Sequence, residues 1–95
     1  MQTQPKPGFK LSISASADGA LQAVYIRLRT NKIARTKEIV DDIVMADYDG
    51  RGQLVGIEIL APVSLKIITK LVDQPRRRPF RRFVREQAPQ DLVLA

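Results

Sequence analysis

The chain has 95 residues, a formal net charge of +6, and neither cysteine nor histidine. A chain of this length forms one domain with a thin core, because a small domain buries only about 60% of the surface that its unfolded chain exposes. The missing residue types exclude disulfides, thiolate chemistry and histidine-based catalysis, so we predict a protein that is not an enzyme and holds no cofactor or metal.

The N-terminal segment, residues 1–8, is polar and contains Pro5 and Pro7. It has no apolar stretch of the kind found in secretory signals. No part of the chain approaches the roughly 20 apolar residues of a membrane-spanning helix. We therefore expect a flexible N-terminus on a cytoplasmic protein that has no membrane partner.

Five segments of alternating polarity predict an antiparallel meander of four to five strands. Apolar and polar residues alternate along them, as a strand with one buried face requires. The dipeptide Asp18-Gly19 suits a tight turn after the first strand, because glycine adopts positive φ without steric cost. Charged residues in the third segment place it at a sheet edge. The predicted strands are residues 9–15, 21–29, 33–40, 43–48 and 53–60.

The acidic turn at residues 47–52, D-Y-D-G-R-G, has two interpretations. Together with Glu58 it approaches a calcium-binding loop, which needs carboxylates at positions one, three and twelve and glycine at position six. Arg51 stands at position five, where an oxygen ligand belongs. A hairpin turn fits these residues better than a calcium loop does. In such a turn aspartates accept hydrogen bonds from backbone amides, and glycines supply positive φ. We favour the hairpin and keep an ion site as the alternative.

A helix is predicted after the sheet, at residues 64–73. Ser64 suits an N-cap, and Leu65, Ile68 and Leu71 recur along one face. Pro75 ends the helix. The helix would cover one face of the sheet and complete a two-layer α+β domain over residues 9–73.

The C-terminal segment, residues 74–95, carries most of the positive charge in the run R-R-R-P-F-R-R-F-V-R. We predict a flexible arginine-rich arm. Arginines neutralise phosphates or carboxylates, and exposed aromatic rings stack on bases or anchor in a groove. A solvated tail without a ligand is the alternative. The candidate partner-binding residues are Arg76, Arg77, Arg78, Phe80, Arg81, Arg82, Phe83 and Arg85.

The runs A-V-Y-I-R-L, K-I-A-R-T and D-Y-D-G-R-G-Q-L-V-G-I-E-I-L together resemble the YuzE-like family of small bacterial domains of unknown function. The resemblance covers about residues 21–60. It implies a compact antiparallel sheet with a helix, and an antitoxin-like role through members that are paired with small toxins. It assigns no catalytic residue.

Three functional hypotheses follow from these patterns. The first is a noncatalytic protein-binding module, an antitoxin-like partner of a small toxin, in which the arm occludes the toxin. The second is nucleic-acid binding through the arm, driven by its charge. The third is a self-associating structural domain, most simply a dimer, joined through sheet edges or a sheet face.

Overall fold

The computed structural model describes residues 8–95, so the expectation about the N-terminus, except for Gly8, lies outside the described residues. The described part contains a five-stranded sheet, two α-helices and a short two-stranded sheet. In chain order these elements are β1 (Lys10–Ala15), β2 (Leu21–Arg27), β3 (Arg35–Val40), β4 (Val44–Tyr48), β5 (Leu54–Ile59), β6 (Val63–Ser64), α1 (Leu65–Thr69), a 3-10 turn (Gln74–Arg76), α2 (Arg77–Gln87) and β7 (Val93–Leu94).

The predicted fold class, a small antiparallel sheet with a helix on one face, is confirmed. The strand order is β1-β2-β5-β4-β3, so the sheet is not a simple meander. β2 pairs with β5, and Val24 lies opposite Ile59. β2, β5 and β4 take the three interior positions, and each presents buried apolar residues to the core. β3 lies at an edge, as its charges predicted.

The hydrophobic core lies between one face of the five-stranded sheet and the helices. Because side chains alternate along a strand, the opposite face carries polar residues, including the partly exposed Tyr25, Asp47 and Glu58. Neither helix has the length and apolar content that crossing a bilayer requires. The fully covered core residues include Val24, Ile26, Val44, Ile57, Ile59, Ile68 and Phe80.

Helix α1 is shorter than predicted. Its N-cap is confirmed, since the Ser64 hydroxyl accepts a hydrogen bond from the Lys66 amide at 3.1 Å. The helix ends at Thr69, and the next residues form turns in which the Leu71 and Val72 amides donate to carbonyls three residues earlier. Residues 70–73 therefore connect the two helices instead of extending the first.

The C-terminal segment differs most from its prediction as a flexible arm. Residues 77–87 form α2, and Phe80 and Val84 are buried beneath it at 0% and 2% exposure. The segment ends in β7, where Val93 pairs in parallel with Val63. The physical reason is an apolar stripe with the i, i+4 spacing of a helix, which places these side chains on the sheet. Residues 74–95 thus belong to the core that was expected to end at residue 73.

Pro79 lies within this helix without interrupting it. It is the third residue of α2. The first four amide groups of an α-helix have no partner within the helix, so a proline there removes no hydrogen bond.

Candidate functional site

A groove with a volume of about 970 Å³ runs between α1 and α2. No aspartate or glutamate lines it within the described part of the chain. A concave surface of one charge sign concentrates its potential and attracts ions of the opposite sign. The cationic side chains that line the groove therefore give it a positive potential. Seven cationic side chains line it: Lys66, Lys70, Arg77, Arg78, Arg81, Arg82 and Arg85.

Four arginines of α2 form a continuous exposed stripe along the groove. Arg78, Arg81, Arg82 and Arg85 follow the i, i+3, i+4, i+7 spacing that places side chains on one helix face. At a rise of 1.5 Å per residue, the stripe is about 10 Å long. Across residues 8–95, none of these four guanidinium groups forms an ion pair with a carboxylate. Their charges are available to an external ligand.

Arg76 and Arg77, which were also predicted to bind a partner, form hydrogen bonds in the connection between the helices, and Arg77 also lines the groove. The Arg77 Nε donates to the Val72 carbonyl at 2.8 Å, and its Nη1 donates to the Gln74 side chain at 2.6 Å. The Arg76 Nη1 donates to the Leu28 carbonyl at 3.2 Å. These bonds fix the start of α2 against the end of α1 and the sheet.

The two predicted aromatic contacts, Phe80 and Phe83, face the protein interior. Phe80 is fully buried, and Phe83 packs against the core. The Phe9 ring lies 6.0 Å from the Phe80 ring and 5.6 Å from the Phe83 ring, centroid to centroid. The expectation that these rings stack on bases or anchor in a partner's groove is therefore corrected. Their spacing relative to Val84 was the signal for a buried helix face.

Two lysines of the groove, Lys66 and Lys70, were not among the predicted binding residues. Lys66 lies in α1 and Lys70 is its C-cap, and both residues are exposed. Their contribution was hidden because an arm separate from the domain would not approach α1. The signal was present in the sequence, since both fall outside the apolar stripe of the helix.

The acidic turn is a hairpin in which Asp49 organises the backbone. Its Oδ1 accepts hydrogen bonds from the amides of Arg51 and Gln53, each at 2.9 Å, and its Oδ2 accepts one from the Asn31 side chain at 2.7 Å. The Asn31 bond, followed by the backbone bonds, lowers the pKa of Asp49. Gly52 has a φ of +82°. The predicted hairpin roles of an aspartate and a glycine are confirmed.

The alternative ion site finds little support in the same turn. Asp47 accepts a hydrogen bond from the Tyr25 hydroxyl at 2.8 Å, so both turn aspartates already have protein donors. Among residues 8–95, no group of three acidic, histidine or cysteine side chains is placed to hold a metal ion.

Comparison with known proteins relates one part of the chain to a family. Residues 18–61 match the family model described as "Protein of unknown function (DUF2283)". No curated protein and no solved structure matches the chain. The matched segment contains β2 to β5 but neither β1 nor the helices, so the basic groove lies outside it. The strand-rich segment 18–61 is therefore similar to a domain family of unknown function, while the groove is built by the residues that follow.

Proposed function

We propose that the protein is a cytoplasmic, noncatalytic module that binds the phosphate backbone of nucleic acid in the groove between α1 and α2. One observation carries this proposal: seven cationic side chains line a single groove without any aspartate or glutamate. Positively charged side chains that neutralise phosphates release condensed counterions, and this release supplies most of the affinity of nonspecific binding.

The composition of the groove favours phosphate over a protein surface. Arginine presents a planar fork of N–H donors that matches two oxygens of a phosphate. The cores of protein interfaces are depleted in charge and centred on aromatic or apolar anchors. The groove has no exposed aromatic ring, because Phe80 and Phe83 face the core. Since phosphate contacts carry no base information, we expect binding with little sequence preference.

The test compares two variants that lose the same charge. Arg81→Gln/Arg82→Gln removes two groove arginines, whereas Lys32→Gln/Arg51→Gln removes two exposed cations outside the groove. We expect a labelled duplex oligonucleotide to bind the groove variant at least 10-fold more weakly at low salt, and the control nearly as tightly as the unmodified protein. Equal losses in the two variants would show that only net charge matters and would reject the groove.

An acidic protein partner is a second candidate, and one observation favours it. A depression of about 370 Å³ shares Leu65 and Arg85 with the groove and is lined by Val93 and Leu94. The Leu94 side chain is 48% exposed. A peptide that combines carboxylates with one apolar side chain fits both surfaces. This candidate includes the antitoxin-like role that the YuzE-like resemblance implies, with the exposed face of α2 in place of a flexible arm.

Two synthetic peptides test this second candidate. One is a glutamate-rich peptide with a central leucine, and the other has serine in place of that leucine. The protein candidate predicts tighter binding of the leucine peptide, and Leu94→Ser should abolish the difference. Equal binding of the two peptides contradicts an apolar anchor. Leu94→Ser should leave oligonucleotide affinity unchanged, which separates the two candidates.

A further inference from the structure

The two edges of the five-stranded sheet differ in charge. β3 carries Arg35, Lys37 and Glu38, and such charges discourage pairing with another strand. β1 has one charged residue, Lys10, at its first position, and the rest of the strand reads L-S-I-S-A. Among residues 8–95, no strand pairs with the outer edge of β1. An uncharged edge presents unpaired backbone groups that can template another strand.

The apolar side chain of Ile13 marks the same edge. Ile13 lies opposite Val24, which is fully buried, so both point to the face of the sheet that carries the core. Ile13 is nevertheless 51% exposed. A further strand beside β1 would place a neighbouring side chain on this face and cover the exposed half of Ile13.

We propose that β1 pairs antiparallel with β1 of a second copy, around a two-fold axis at Ile13, to form a continuous ten-stranded sheet. Residues opposite each other in an antiparallel pair point to the same face. In this register Ile13 meets the partner's Ile13, and Ser12 meets the partner's Ser14. Apolar residues face apolar ones, and hydroxyls face hydroxyls.

The proposed register also avoids repulsion between like charges at the two ends of the strand pair. Lys10 lies opposite the partner's Ser16, so the two lysines of the dimer stand at opposite ends and do not repel each other. The register shift between Ser14 and Ala15 falls at the end of β1, outside the central pairs. A two-fold axis perpendicular to the sheet also keeps both helical layers on one side of it. The dimer does not depend on the proposed nucleic-acid binding.

Sedimentation equilibrium of the full chain tests the dimer. We expect a mass of twice 10.7 kDa, and we expect Ile13→Lys to give the mass of one chain. Ile33→Lys is the matched control, because Ile33 is 39% exposed and lies outside the strands, and it should remain dimeric. A single-chain mass for the unmodified protein at high micromolar concentration would overturn the proposal. So would a dimer that Ile13→Lys leaves intact while its circular dichroism spectrum is unchanged.

Cysteine substitutions test the register and do not require that Ile13→Lys folds. The chain contains no cysteine, so each introduced thiol is unique. A disulfide spans Cα atoms up to about 6.8 Å apart, which admits directly opposite residues and excludes diagonal ones at about 7–8 Å. Ile13→Cys should therefore form covalent dimers on mild oxidation. Ser12→Cys alone should form few, whereas its mixture with Ser14→Cys should form them readily. Efficient self-linking of Ser12→Cys, or none by Ile13→Cys, would contradict the register.

Discussion

The hydroxyl of Tyr25 on β2 donates a hydrogen bond to Oδ2 of Asp47 on β4 at 2.8 Å, across the intervening strand β5. The bond is possible because Gly56 on β5 has no side chain, and a Cβ there would overlap the hydroxyl and ring of Tyr25. One side chain thereby joins three neighbouring strands on the face opposite the helices.

Gly56→Ala tests whether this close approach determines the position of Tyr25. The added methyl group would displace the tyrosine ring, and we expect a loss of about 1–3 kcal/mol in the free energy of unfolding, as for other overpacked sites. Gly50→Ala is the control, because nothing lies within 4 Å of a Cβ at that position. Urea denaturation measures both. Equal stability of the two variants would show that the ring moves aside at no cost.

The same pair predicts a dependence of stability on alkaline pH. Burial, followed by the hydrogen bond and charge of Asp47, raises the pKa of Tyr25. The folded state thus holds the phenol proton more tightly than the unfolded state, whose phenol has a pKa of about 10. This contribution to stability is fully present below that pH and is lost as the pH rises through the folded pKa.

Tyr25→Phe removes both the hydrogen bond and the titration. We expect it to lower the free energy of unfolding by about 0.5–1.5 kcal/mol at neutral pH. The difference from the unmodified protein should shrink above about pH 10, where the unfolded phenol ionises. Denaturation across this pH range checks the sign. A constant difference would mean that the Tyr25 phenol has the same pKa in the folded and unfolded states.

For Asp49 we expect the opposite dependence of stability on pH, at acid pH. Its hydrogen bonds lower the pKa of the carboxyl in the folded state, so its contribution is present above the unfolded pKa and is lost as the pH falls through the folded pKa. Asp49→Asn should reduce stability at neutral pH and flatten the acid side of the stability curve. Asp41→Asn, at an exposed position in the turn after β3, is the control. Parallel acid profiles for the unmodified protein and Asp49→Asn would contradict this role.

Because α2 contributes the buried side chains of Phe80 and Val84 to the core, we expect residues 74–95 to be needed for folding. Phe80 fills the core between α2 and the sheet, so Phe80→Ala should cost about 3–5 kcal/mol of unfolding free energy. Arg82→Ala, on the exposed face of the same helix, should cost far less. A chain that ends at Asp73 should show no cooperative thermal transition. If it unfolds with an unchanged midpoint, α2 is an independent arm and this description of the core is wrong.

Local patterns predicted the strands, whereas features that depend on distant contacts were harder to predict. Alternation identifies a strand such as β5, and the charges of β3 placed it at an edge, because both signals lie within a few residues. The pairing of β2 with β5 depends on residues such as Val24 and Ile59, far apart in the chain. Alternation within a strand does not specify its neighbour.

For the groove, the binding residues were easier to predict than the element that carries them. The arginines of α2 were identified as candidate binding residues from their number and clustering. Their density, together with Pro79, concealed the apolar stripe of Phe80 and Val84 that turns them outward on a fixed surface. Lys66 joined them only through the packing of α1 beside α2. A charge cluster in a sequence thus identifies candidate residues without indicating which element positions them.

The salt dependence of oligonucleotide binding tests the central proposal most directly. For a duplex, the logarithm of the affinity should fall linearly with the logarithm of the salt concentration, with a slope of about −0.9 for each phosphate neutralised. We expect Arg81→Gln/Arg82→Gln to make this slope less negative by about two. An affinity independent of salt, or an unchanged slope in this variant, would contradict phosphate binding in the groove.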